Sequence, residues 1–180
     1  MKRTGPQIIS SLRENLQQSV GRHLYVVLGS YEQLASFEEV HLTQARFGDD
    51  RLQPLTVNLN LTLLNRISDE DLHELVQNEA RLPQTVQIKL NQEFDLALRN
   101  LQQEHKFIVL KQIELLFAYN LDMQVIRARA TNQNHILLLL AGEKRGERIT
   151  LFNEANPRFH RTLPPQLVTE NHLWEITDAG

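Results

Sequence analysis

The sequence predicts an α/β fold, a three-layer sandwich built on a mainly parallel sheet, and three observations carry that prediction. Continuous apolar runs recur at Leu24–Leu28, Phe107–Leu110 and Ile136–Ala141, the pattern of strands buried on both faces. Stretches of helical periodicity separate them, so the strands are joined by crossovers and pair in parallel. The chain has 180 residues, 41% hydrophobic and 23% charged, which suits one globular domain over residues 1–180. A domain of that length buries roughly 70% of its unfolded-chain surface.

Each element has a local rationale. Thr4 caps a first helix with Pro6 in its opening turn, and Ile8, Ile9, Leu12, Leu16 and Val20 mark one face before Gly21 stops it. A strand follows at 23–28, then helical spacing of Tyr31, Leu34, Phe37 and Val40 over 31–42, then a polar loop, 45–54, with Gly48, Asp49 and Asp50. Residues 55–60 alternate apolar and polar, as a half-buried strand does, and 61–67 offer a short helix. Ser68 caps the next helix, with Asp69, Glu70 and Asp71 favourably placed at its positive end. Pro83 opens a longer one whose face is Val86, Leu90, Phe94, Leu98 and Leu101. A third strand spans 105–110, a helix with Met123, Ile126 and Ala130 spans 121–131, and a fourth strand spans 135–141. Residues 142–148 read as a charged turn, 149–152 as a fifth strand, and 173–176 as a last strand beyond Pro157, Pro164 and Pro165.

Several functions are disfavoured. The longest apolar run, Ile136–Ala141, is far short of a membrane span, and Lys2 and Arg3 lead into a polar amphipathic pattern without a signal-like apolar core. Zero cysteines exclude disulfides and thiolate metal sites and fit a cytoplasmic protein. The seven histidines show no H-x-x-x-H or H-E-x-x-H spacing, so no metal is expected and strand-end or surface histidines are the default. Ser10, Ser11, Ser30 and Ser36 lack a G-x-S-x-G context. Arg127 and Arg129, two apart, do not share a helix face. A net charge of −3 opposes a duplex-coating role. Lys144, Arg145 and Arg148 at the carboxyl end of the fourth strand remain a nucleic-acid candidate, diluted by Glu143 and Glu147, beside the plainer reading of a solvated turn.

One segment carries the outline of a phosphate-binding loop. The first strand runs into Gly29, and Ser36 follows at the spacing of G-x-x-x-x-G-K-[ST]. Leu34 stands where the second glycine belongs and Ala35 where the lysine belongs. The third strand has the form that precedes a metal-holding carboxylate, yet it ends on Lys111, with Glu114 three residues later. Lys111 is expected to pair with Glu114 or Glu143, or to reach solvent, with a charge-replacing role at the phosphate site as the sharper alternative.

The order of elements, with Val57–Asn60, Ile108–Phe117, Ile136–Leu140, Ala141–Phe152 and Asn156–Arg161, resembles the small P-loop protein of BREX phage-defence systems over most of residues 8–165. The resemblance implies a P-loop NTPase-like sheet in which Leu24–Leu28, Leu55–Leu59, Phe107–Leu110 and Ile136–Leu140 are parallel neighbours. It places Val26, Val109 and Leu138 among the most buried residues. The departures at Leu34, Ala35 and Lys111 imply a pseudo-ATPase with no cofactor and no catalytic residue, and with Gly29, Ser36, Lys111 and Glu114 around a vestigial pocket. A leucine in a left-handed conformation costs roughly 1–2 kcal/mol, and each lost charge-assisted contact about 1.5–3 kcal/mol. A micromolar site holds only about 8 kcal/mol. The expected role is therefore an assembly or regulatory subunit that meets other protein subunits of an antiviral system. Arg158, Phe159, Arg161 and Trp174 supply contact residue types in the tail, with closure of the sheet's edge by Phe159 and Trp174 as the equal alternative. Alternatives are a weak ATPase or nucleotide sensor completed by a partner, and a nucleic-acid-binding accessory with weak DNA contact. A homo-oligomer is compatible with each.

Overall fold

The computed structural model describes residues 1–18, 21–48 and 51–177. Val20 of the predicted first helix and Asp49 and Asp50 of the predicted loop lie outside the described residues, as do the side chains of Asp69 and Asp71.

The apolar runs do form one sheet. Its main path is parallel throughout, in the order β1 (Lys2–Arg3), β8 (Leu173–Ile176), β2 (Leu24–Gly29), β5 (His135–Arg145), β4 (Phe107–Lys111), β3 (Leu55–Asn58). The four strands expected to be neighbours are adjacent, with Val26 opposite Leu138 and Leu138 opposite Leu110. Val26, Val109 and Leu138 are fully buried. Each such side chain contributes roughly 1.5–3 kcal/mol relative to exposure.

Because side chains alternate along a strand, the sheet feeds two cores. Tyr25, Val27, Val109, Leu137, Leu139 and Trp174 lie on the face covered by α1 (Gly5–Leu16) and α2 (Tyr31–Phe37). Val26, Leu28, Ile108, Leu110, Ile136 and Leu138 lie on the other. That second face is covered by α3 (Leu59–Arg66), α4 (Asp69–Asn78), α5 (Pro83–Glu104), α6 (Glu114–Ala118) and α7 (Gln124–Arg129). The longest helix, α5, buries Val86, Leu90, Phe94, Ala97 and Leu98, close to its predicted face.

The departures have physical causes. Residues 38–42 continue α2 as a π-helical turn, in which Thr43 N donates to Glu38 O at 3.0 Å. The wider turn carries Leu42 into the core and leaves Val40 51% exposed. β3 stops at Asn58 because that side chain accepts from Leu61 N at 3.1 Å and caps α3. The predicted polar loop holds buried Ala45 and Phe47, and Phe47 meets Phe107 edge-on at 5.1 Å.

The predicted charged turn at 142–148 is mostly strand. β5 runs on to Arg145 and pairs antiparallel with β6 (Arg148–Leu151), which pairs in turn with β7 (Arg161–Thr162). Gly142 permits this ribbon, since a Cβ there would lie 2.5 Å from Thr150 O and 3.0 Å from Leu151 Cα. No described helix is long and apolar enough to cross a membrane.

Candidate site at the carboxyl edge of the sheet

α2 leaves β2 toward one face of the sheet, whereas α6 and α7 leave β4 toward the other. The crevice between them, at the carboxyl ends of β2, β5 and β4, is where open α/β sheets bind ligands. It holds a cavity of about 120 Å³ walled by Leu34, Ala35, Lys111, Glu114, Leu140 and Phe152 among others. Small-molecule pockets run roughly 300–1,000 Å³, so this space is undersized for a nucleotide.

The loop that would cradle a phosphate is not formed. Ser30 alone connects β2 to α2, and residues 31–36 of the pattern are already helix. Ser30 Oγ accepts from Gln33 N at 3.0 Å, while Gln33 Oε1 accepts from Ser30 N at 3.0 Å, a reciprocal capping box. Tyr31 N donates to Glu154 Oε1, also at 3.0 Å. The N–H groups of Ser30, Tyr31 and Gln33, at the end of a helix that would otherwise favour an anion, are thus met by the chain's own amide, carboxylate and hydroxyl.

Of the four residues expected around a vestigial pocket, the structure brings Lys111 and Glu114 to the same cavity. Gly29 lines a separate, more open groove with Glu143, Glu154 and Glu175. Ser36 is exposed on α2 and lines neither space.

Lys111 does not pair with Glu114 or Glu143. Its ammonium lies 2.9 and 2.7 Å from the two oxygens of Glu38, at the head of the π turn. Glu114 is held elsewhere, accepting from the Tyr31 hydroxyl at 3.3 Å and from Asn60 Nδ2 at 2.7 Å. Burial first, and then the nearby Glu114 and Glu154 carboxylates, push the Tyr31 hydroxyl pKa up. Two cavity residues, Gln112 (φ 51°) and Phe152 (φ 59°), adopt the left-handed conformation that non-glycine residues rarely take. Such strain persists where the surroundings enforce it, often at ligand sites. Here the backbone carbonyl of Gln112 accepts from Asn60 N at 3.1 Å.

The other candidates are dispersed. Lys144 Nζ lies 2.5 Å from Glu170, Arg145 pairs with Glu143 at 3.0 Å, and Arg148 reaches Thr162 Oγ1 at 3.4 Å. Lys144 and Arg145, adjacent on a strand, project to opposite faces. The tail candidates also separate. Arg158 stacks 4.6 Å over the ring of Phe159, which is 49% exposed, and Arg161 donates to the carbonyls of Arg158 and His160. Trp174, by contrast, is 1% exposed and stacks on Tyr25 at 5.7 Å, so its surface is spent inside the core.

Sequence reasoning missed a polar cluster at the opposite, amino-terminal edge of the sheet. His23 Nδ1 lies 2.7 Å from the Tyr25 hydroxyl, with the His135 ring 4.7 Å from that of His23 and the His172 ring 4.6 Å from that of Tyr25. Burial is the main cause lowering all three histidine pKa values. The available signal was position, since His23 and His172 each immediately precede a strand and His135 begins one. Among the described residues no group of acids and histidines is arranged to hold a metal ion.

The fold and its carboxyl edge define an α/β protein with a mainly parallel sheet in which the start of α2 is capped by the chain's own side chains. No family model, curated protein or solved structure matches this chain.

Proposed function

We propose that this chain is a non-catalytic, P-loop-like subunit that acts by contacting other proteins, as an assembly or regulatory component of a bacterial antiviral system of the BREX type. The antiviral setting rests on the resemblance carried by Ile108–Phe117 and Ala141–Phe152. The non-catalytic part is carried by one observation: Glu154 sits on the α2 N-terminus, 3.0 Å from Tyr31 N, where a phosphate would have to bind.

Three further features support this reading. The lysine available at the strand end is neutralised by Glu38. Glu114 and Glu154, with Glu38, leave the crevice poorly suited to a polyanion. Catalysis of phosphoryl transfer depends on a cradle, a lysine and a held metal together, and Leu34, Ala35 and Lys111 replace the residues that would supply them. A phosphate-release assay on the purified chain with magnesium and ATP tests the proposal. No release above the protein-free rate is expected. Turnover proportional to protein concentration and abolished by Lys111→Ala would overturn it.

A further inference from the structure

Two arginines share a groove without a counter-charge. Arg66 is paired with Glu93 and Arg129 with Asp95, but Arg22 and Arg127 have no carboxylate partner among the described residues. Arg127 donates to the backbone carbonyl of Gln166, and Arg22 makes no bond among the described residues. Both line one groove of about 420 Å³ at the amino-terminal edge of the sheet, where Leu24 opens β2 and His172 precedes β8. That space falls within the range of small-molecule pockets, roughly 300–1,000 Å³. Like charges held in one groove disfavour each other, and a bound anion removes that cost.

The rest of the lining narrows the ligand. The Thr169 hydroxyl makes no capping bond, and His172 Nδ1 donates to the Leu24 carbonyl at 3.2 Å, which leaves Nε2 unengaged. Glu170 also borders the groove, but Lys144 neutralises its carboxylate. Exposed Pro165 and half-buried Val168 offer apolar surface, which buried Leu24 and Leu167 complete. Guanidinium forks match both carboxylate and phosphate, and charge decides between the two. A carboxylate brings a single charge, whereas a phosphate monoester brings about −1.5 to −2 near pH 7, the better match to two arginines. The groove at the carboxyl edge, lined by Glu143, Glu154 and Glu175, has the opposite character.

We propose that the amino-edge groove binds the phosphate monoester of a small organic molecule, with Arg22 and Arg127 on the phosphate and Pro165 and Val168 against the organic part. This site is independent of the non-catalytic reading. It lies at the opposite edge of the sheet from Glu154 and requires no hydrolysis.

The test titrates the full ¹⁵N-labelled chain with phenyl phosphate in magnesium-free buffer at pH 7.5, beside benzoate and inorganic phosphate, and follows amide shifts. Saturable shifts confined to residues 22–24, 127 and 165–172 are expected, with binding in the millimolar range and at least about tenfold tighter than either control. Arg127→Gln should weaken binding at least about tenfold. Arg22→Gln, at an exposed and screened position, should weaken it at least about threefold, and it keeps the proposal testable should Arg127→Gln not fold. Arg158→Gln, on the tail, should leave binding unchanged. No saturable binding, benzoate binding as tightly as phenyl phosphate, or an unchanged affinity in Arg22→Gln overturns the proposal. So does an equal loss in Arg158→Gln, which would reduce the effect to general charge. A ten-residue thymidine oligonucleotide that binds these residues more tightly than phenyl phosphate also overturns it, since the groove would then serve a nucleic-acid strand.

Discussion

Replacing Gly29 with alanine separates two roles for a glycine that ends a buried strand and opens a helix. In a phosphate loop such a residue lets backbone approach the ligand. Here Gly29 is a packing position: a Cβ would run into Cγ2 of Ile176 on β8 and lie 3.2 Å from Gln33 Oε1. Its φ is not in the left-handed region, so no conformational penalty is involved. Ile176 Cγ2 sits on a branched Cβ and turns aside poorly, so the clash is relieved by shifting β8 away from β2. Overpacking of that kind costs about 1–3 kcal/mol. At a middle value of about 2 kcal/mol, a chain of this size should melt about 4–8 °C lower. Thermal unfolding by circular dichroism measures it. Ile176→Ala removes the opposing methyl, so the double variant should recover part of the loss, with a coupling energy of about 0.5–3 kcal/mol. An unchanged melting temperature for Gly29→Ala, or additive losses in the double variant, would refute the packing argument.

Other perturbations address the rest of the fold. The lowered pKa values of His23, His135 and His172 mean that the unfolded chain binds protons more readily than the folded one. Stability should therefore be fully present above pH of about 6.5 and fall as pH drops through and below it, a trend that urea midpoints at pH 5 and 7.5 would check. Truncating His23 and His135 together to non-titrating residues should flatten that slope, and an unchanged slope would discount the cluster. Trp174→Ala should cost about 3–5 kcal/mol, because the ring is buried against Tyr25, whereas a loss below about 1 kcal/mol would contradict its place in the core. Burial drives the Tyr25 hydroxyl pKa well up, so an absorbance titration should show it ionising only with alkaline unfolding.

Much of the sheet was legible because both-face burial writes itself as continuous apolar sequence. Leu24–Leu28, Phe107–Leu110 and Ile136–Leu140 read as strands of a parallel sheet from their apolar runs alone, and they lie side by side in it. What failed to show in sequence depended on partners far along the chain. The charged residues Glu143–Arg145 extend β5 because β6 folds back on them, and a solvated ribbon has no apolar signature. The Lys111–Glu38 pair joins residues 73 apart, brought together by a π turn that simple helical spacing does not foresee. Glu154, 123 residues from Tyr31, likewise gives no local hint that it seats on α2. From composition Trp174 reads equally as a contact anchor or as a ring closing the sheet's edge, and β8, inserted between β1 and β2, takes the ring inside. The departures from the phosphate-loop pattern at Leu34, Ala35 and Lys111 were visible at once; that Ser30 and Glu154 cap the start of α2 was not.

Calorimetric titration of the full chain with ATP and magnesium tests the central claim most directly, run beside Glu154→Ala. With Glu154 on the start of α2, the proposed non-catalytic reading predicts no saturable heat below about millimolar ATP for the wild-type chain, where a micromolar site would hold about 8 kcal/mol. A magnesium-dependent micromolar isotherm for the wild-type chain would contradict it.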